Sequence, residues 1–257
     1  MEIRNDVIVE VNNISHTFLL ARNNPIRAIN CISLSVPRGQ FISFIGPTGC
    51  GKTTLLKIIG GLISPMAGQV FIAKQSPQYA QMQGRIGFVF QEPMLLPWRN
   101  VIRNISLPQE ILPIKKKFRE PEELLRSVGL EGFGNNLPKE LSGGMKSRVA
   151  IARVLSYEPD VLFMDEPFAN LDEVTRDLLN LELLNIWKRA CLTILYVTHS
   201  ITEAVFLSDR IVVMSPQPAK IIQDVKVNFG RPRGFHIKKT PDFVYQVEAL
   251  KELLYHT

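Results

Sequence analysis

Three glycines, three threonines and one lysine stand within nine residues, Gly46-Pro47-Thr48-Gly49-Cys50-Gly51-Lys52-Thr53-Thr54. Glycines at this spacing let the backbone curl until successive N–H groups point inward at one anion. A helix that starts directly afterwards adds the partial positive charge of its N-terminus. In such a cradle Lys52 reaches the β- and γ-phosphates of a nucleotide, and the Thr53 hydroxyl ligates Mg²⁺. The pattern carries weight only between a strand and a helix. Both are predicted: Phe41-Ile42-Ser43-Phe44-Ile45 reads as a buried parallel strand, and Leu55-Leu56-Lys57-Ile58-Ile59 as the first turns of a helix. A nucleoside triphosphate held by residues 46–54 is the expectation.

A Mg²⁺ shell also needs a carboxylate. Asp165 and Glu166 follow the apolar run Val161-Leu162-Phe163-Met164, where acids are costly unless paired or metal-bound. Asp165 therefore reads as the metal-shell residue and Glu166 as the base that polarises the attacking water. The plainer alternative is that the pair caps a helix beginning near Glu173. Leu141-Ser142-Gly143-Gly144-Met145 is a second glycine pair opening a helix, with Ser142 a good N-cap and the free N–H groups a second anion site. One nucleotide has one γ-phosphate, so the economical expectation is that this second site serves a nucleotide held by another subunit.

His199 ends the run Leu195-Tyr196-Val197-Thr198. Alone, such a histidine is more often structural. In an open parallel sheet, however, ligands collect at the carboxyl ends of strands, where Gly46, Asp165 and His199 all fall, so a γ-phosphate contact is expected. Gln91, at the end of Ile86 to Phe90, belongs to the same rim and is expected to touch Mg²⁺ or the water. Cys50, beside Lys52 at a helix start, is expected to favour thiolate and to be alkylated unless MgATP covers it.

These residues need strands and helices to carry them. Ile8 to Val11 and Ile32 to Val36 alternate as an antiparallel β region, with a polar loop over Ala21 to Arg27. Gln69 to Ala73, Ile86 to Phe90, Val161 to Met164, Thr193 to Val197 and Arg210 to Met214 read as strands. Ser142 to Leu155, Glu173 to Arg189 and Ile201 to Leu207 read as helices. Between Gln91 and Tyr157, Pro93, Pro97, Pro108, Pro113 and Pro121 break the chain into pieces, and helical spacing replaces alternation. The tail from Lys220 is expected to hold a strand pair and an amphipathic helix with Phe243, Val247, Leu250 and Leu254 on one face.

The fold class expected is α/β: a P-loop NTPase with a mostly parallel central sheet, an N-terminal antiparallel β region and an inserted helical subdomain. Residues 1–90 and 158–219 form the expected catalytic core, 91–157 the helical subdomain and 220–257 a C-terminal extension.

Composition bounds this reading. The 257 residues are 46% hydrophobic and 21% charged, as in an ordinary globular protein. A formal charge of +6 and a pI near 9.3 suit polyphosphate, a membrane surface or nucleic acid alike. Three scattered cysteines without metal-ligand spacing fit a reducing compartment. No secretory leader is expected, and no run of about 18 apolar residues offers a membrane span. The cluster Lys115-Lys116-Lys117-Arg119 reads as a solvated loop, with anionic headgroups as the alternative partner.

Taken in order, residues 46–53, Gln91, Leu141 to Met145, Asp165-Glu166, Asn170-Leu171-Asp172 and His199 resemble the ATP-binding subunit of ABC transporters, over roughly residues 5 to 215. The resemblance implies ATP hydrolysis with Mg²⁺ and a head-to-tail homodimer with two ATP molecules at its interface. Lys52 and Thr53 of one subunit would face Ser142, Gly143 and Gly144 of the other. It further implies Asp172 in the loop linking the two sites and Phe18 as the aromatic stacked on adenine.

Gln91-Glu92-Pro93-Met94-Leu95-Leu96-Pro97-Trp98-Arg99 and Arg231-Pro232-Arg233 are similar to the import branch serving nitrate, sulfonates and taurine. That implies integral membrane permease subunits, an indirect solute-binding partner, and a peripheral place on the cytoplasmic face of the cell membrane. A non-transport ABC ATPase acting on nucleic acid or ribosomes, and an exporter subunit, are the alternatives. The first usually carries coiled-coil insertions or two nucleotide domains, which this chain lacks, so no nucleic acid is expected. Three positions depart from the family pattern: Met145-Lys146-Ser147-Arg148 holds no glutamine, Asn170 replaces a small residue, and Gln40 stands where an acid is usual.

Overall fold

The computed structural model of the protein describes residues 6–20, 24–112 and 118–255. The first elements are β1 (Val7–Leu20), β2 (Asn24–Pro37), β3 (Phe41–Ile45), α1 (Lys52–Ile59), β4 (Ala67–Ile72), α2 (Pro77–Met82) and β5 (Ile86–Val89). Helices α3 (Val101–Ile105), α4 (Leu107–Ile111), α5 (Pro121–Ser127) and α6 (Gly143–Leu155) follow, then β6 (Val161–Asp165) and α7 (Glu173–Ala190). The chain closes with β7 (Thr193–Val197), α8 (Ile201–Leu207), β8 (Arg210–Met214), β9 (Ile221–Lys226) and α9 (Pro241–Tyr255). Two compact units result, residues 1–78 with 193–257, and residues 79–192.

In the first unit β3 lies between β7 and β8, parallel to both, with Phe44 opposite Val197 and Val212. All five residues of β3 and of β7 are buried, which is why both read as continuous apolar runs. Helix α1 packs on β7 and α8 on β3. β1 forms the middle of an antiparallel sheet with β2 and β4. Its pairing with β2 runs from Val7 opposite Pro37 to Leu20 opposite Asn24. Both strands are thus longer than the alternation predicts, because bulges between Val11 and Thr17 interrupt the period without ending the ladder. Residues 24–27, expected in a loop, belong to β2, while 21–23 lie outside the described residues, as do Lys115 to Lys117.

The tail corrects another expectation. It holds one strand, and β9 pairs antiparallel with β8 instead of with a tail partner, Ile211 facing Val225. α9 buries Phe243, Val247 and Leu250 and packs on α8. Each side chain of that size contributes about 1.5–3 kcal/mol on full burial. Leu254 is only half-buried.

In the second unit β5 and β6 pair in parallel, Val89 opposite Met164. Phe88 stacks on Phe163 with ring centroids 4.9 Å apart. α6 packs on β5 and on α3, α4, α5 and α7. Its approach to β5 requires Gly87: a Cβ there would lie 2.2 Å from Val154 Cγ1.

Candidate functional site

The first unit carries the glycine loop where β3 ends. Gly49 and Gly51 adopt φ of +76° and +115°, the left-handed region that side chains disfavour. Gly46 has a different reason: a Cβ there would lie 2.8 Å from the Met214 carbonyl oxygen and 2.9 Å from Cys50 Sγ. Gly51 is the N-cap of α1 and has no side chain to occupy the first N–H groups, which leaves them for an anion. Lys52 Nζ donates to the carbonyls of Gly46, at 2.8 Å, and Pro47, at 2.9 Å, so the ammonium folds back over the loop. Thr48 and Gly49 are exposed, and Pro47, Thr53 and Thr54 are half-buried.

Cys50 overturns an expectation. Its side chain points inward and is 2% exposed, so alkylation of the folded protein is not expected.

The same edge carries His199. Thr198 N donates to Phe44 O at 3.4 Å, tying the end of β7 to the strand that enters the loop, and the next residue, His199, is exposed. Phe18 lies on β1, 37% exposed, with the His16 ring edge-on at 4.7 Å.

In the second unit, β6 ends in Asp165, and Glu166 follows with φ of +46°, an uncommon backbone for a residue with a long side chain. Gln91 is exposed just past the end of the neighbouring β5. Ser142 caps α6, its Oγ accepting from Met145 N at 3.3 Å, and is exposed with Gly143. This turn abuts the segment around Asp172: a Cβ at Gly143 would meet Leu171 Cδ2, and one at Gly144 would meet Thr175 Cγ2, each at 3.2 Å. The unusual Ser147 is buried, and its Oγ donates to Pro167 O at 3.2 Å, linking α6 to the turn after β6.

The N-cap of α7 is Asp172, not the Asp165-Glu166 pair, which answers the plainer alternative. Asp172 Oδ1 accepts from Thr175 N at 2.9 Å, and that bond holds its carboxyl below the usual range. A depressed carboxylate stabilises the fold above its unfolded-state pKa and loses that contribution as pH falls through the folded-state value. Asp172→Ala is therefore expected to lower the melting temperature by a few degrees at pH 7. The gap should close in acid below the ordinary carboxylate range, as thermal melts across pH will show.

Three positioning contacts escaped sequence reasoning. Gln217 Nε2 donates to the Gly49 carbonyl at 2.8 Å. Arg153, on α6, donates to Pro93 O and Met94 O at 2.9 and 2.8 Å. Thr198 Oγ1 donates to the buried Glu203 carboxylate at 2.5 Å. The first two have no local signal, since each joins a side chain to a distant backbone that only folding brings near, while the third spans five residues across the Ser200 cap.

Strict glycine geometry, a folded-back lysine and a helix N-terminus without a side-chain cap fit a polyphosphate. Among the described residues no three His, Cys, Asp or Glu cluster as a metal cage. Mg²⁺ in a nucleotide site takes one or two protein oxygens and completes its shell with phosphate and water. The Thr53 hydroxyl and the Asp165 carboxylate are donors of the required hard type.

The ABC transporter family model matches residues 29–169. The aliphatic sulfonates import ATP-binding protein SsuB 2 of Pseudomonas syringae pv. tomato is 43% identical over 223 residues, covering 86% of this chain and 90% of that protein. The taurine import ATP-binding protein TauB of Rhizobium johnstonii is 35% identical, covering 97% of each. Among solved structures, the dimeric post-hydrolysis state of the ATP-binding cassette MJ0796 bound to ADP and Pi superposes with a TM-score of 0.73. Identity there is 30%, with 89% of this chain and 100% of that one covered. The fold is therefore that of a P-loop NTPase with a mostly parallel sheet. The chain belongs to the ABC transporter ATP-binding family, and it is an ATPase.

Proposed function

We propose that this ATPase powers a membrane importer of small molecules of the sulfonate, taurine and nitrate kind. The observation that carries the reading is identity of 35 to 43% with sulfonate and taurine import subunits, over nearly the whole of both chains. In this reading the backbone of residues 46–54 and the Lys52 ammonium bind the phosphates. Thr53, Asp165 and Gln91 would hold Mg²⁺, which would neutralise phosphate charge when bound. Glu166 accepts the proton of the attacking water, His199 touches the γ-phosphate, and Phe18 stacks on adenine.

Ser142, Gly143 and Gly144 serve the nucleotide of a second copy, with Asp172 between the two sites. Two copies close on ATP and part when the γ-phosphate leaves, because the Ser142 turn then has no anion to grip. That a similar cassette, MJ0796, is dimeric in two solved structures supports this part. Residues 91–157 act as the helical subdomain and pass the motion to a permease. Trp98 and Met94, 73% and 62% exposed, are the apolar contacts such a partner would cover. A bidentate Arg99–Glu110 ion pair and the Arg153 contacts hold their loop in shape. Among the described residues no helix is long and apolar enough to cross a membrane, so attachment to the cytoplasmic face would come through the permease.

The test is uptake. Source cells lacking this chain are expected to lose uptake of taurine or alkanesulfonates. Wild-type chain should restore it, Lys52→Ala should not, and tagged chain should bring a permease out of detergent-solubilised membranes. Unchanged uptake of all three solute classes, with nucleic acid as the copurifying partner, would overturn the importer reading.

A further inference from the structure

The final four carbonyls around the C-terminal end of α8 have no helical successor to satisfy them. Two tail arginines take all four. Arg233 Nη1 donates to Val205 O, Phe206 O and Ser208 O at 3.2, 2.8 and 2.8 Å, and Arg231 Nη2 donates to Leu207 O at 2.6 Å. The Arg233 side chain is wholly buried, and its Nη2 also donates to Phe229 O at 3.2 Å. Asp209 pairs with Arg231 at 2.8 Å and accepts from Phe41 N at 3.0 Å, which ties the cluster to the first residue of β3. Burial, helped by Arg231 and opposed by Asp209, pushes the Arg233 guanidinium down to about 9, still charged at neutral pH. Positive charge at this end of a helix is also where the macrodipole favours it.

The other end of α8 holds the His199 loop. Thr198 Oγ1 accepts from Ser200 N at 3.0 Å while donating to Glu203, and Ser200 caps the helix by accepting from Glu203 N at 3.3 Å. His199 thus sits between two residues that are both tied to α8, a helix of seven residues. A helix this short transmits a shift at one end directly to the other. Glu203 to Ser208 are buried, so water does not serve these carbonyls and the two arginines fix where this end of the helix lies. The arrangement makes sense if the position of α8 matters.

We infer that Arg233, assisted by Arg231, is a positioning residue for ATP hydrolysis, fixing through α8 the place of His199 at the end of β7. This rests on the reading of His199 as a γ-phosphate contact. A misplacement of about 1 Å at a reacting group costs up to about a hundredfold in rate. Lysine cannot reproduce the planar fork that reaches several carbonyls at once.

Arg233→Lys is therefore expected to lower kcat by about tenfold or more, with the ATP dissociation constant changed less than about twofold. In single-turnover assays, Arg233→Lys added to His199→Ala should cost nothing further, since the residue acts through the imidazole. Arg231→Lys, at a less buried position, should show the same pattern more weakly and covers the case in which the Arg233 variant does not fold. Full kcat in the folded variants would overturn the proposal, as would an equal loss with and without His199. His199→Ala with wild-type turnover would instead sink the His199 reading itself, whatever the arginine variants do.

Discussion

Glu166→Gln is expected to slow ATP hydrolysis by about 10²–10⁴-fold, the range attributed to a positioned general base. Glutamine keeps the shape and one oxygen of the side chain but cannot take the proton of water. The substitution is also gentle on the fold: the left-handed backbone at φ +46° is already occupied by a residue of the same length, and glutamine imposes no new steric demand there. ATP affinity should therefore stay close to wild type. Phosphate release and nucleotide titration on one preparation check both halves. A variant hydrolysing within about tenfold of wild type would remove Glu166 from the role of base.

Lys52→Ala should act on binding and chemistry together. Lys52 is 7% exposed, and its ammonium is held by the carbonyls of Gly46 and Pro47. Its charge is aimed at the loop's interior, so its loss removes a fixed cation from phosphates that carry negative charge in both ground and transition states. Removing one such preorganised donor costs about 10²–10³ in kcat, with weakened ATP binding on top. Arginine should rescue poorly, because a planar fork does not fit where a compact point charge meets two carbonyls. Unchanged thermal stability beside lost turnover is the expected signature; wild-type turnover in Lys52→Ala would contradict the loop's assignment.

The sequence was most legible where one short stretch carries its own geometry. β7, α8 and β8 match the predicted bounds because each is an apolar run between polar turns, buried on both faces or capped by serine. The same holds for the glycine loop and for α6 with its Ser142 cap. Long-range pairing was less legible. β9 could not announce β8 as its partner, since strand pairing depends on a register with a distant segment. Gly87 gave no sign that it admits Val154, and Cys50 gave none that it turns inward, because both depend on what packs opposite. Arg231 and Arg233 stood out only as a family resemblance; the four carbonyls they cap become visible only once α8 and the tail are folded together.

The central claim, that a nucleotide lies between the glycine loop of one copy and the Ser142 turn of another, has a direct measurement. In the Glu166→Gln background, sedimentation velocity with saturating ATP is expected to show a dimer, and with ADP a monomer. Adding Gly143→Asp should leave α6 intact, since its Cβ, 3.2 Å from Leu171 Cδ2, asks only that the end of that side chain give way. A carboxylate at a helix N-terminus is favourable, yet it would repel the phosphates it would have to meet. That double variant should bind ATP as tightly as its parent does at concentrations too dilute for dimerisation, and remain monomeric. If it instead dimerises normally, or loses ATP binding as an isolated monomer, the turn does not reach across to a second copy and the account fails.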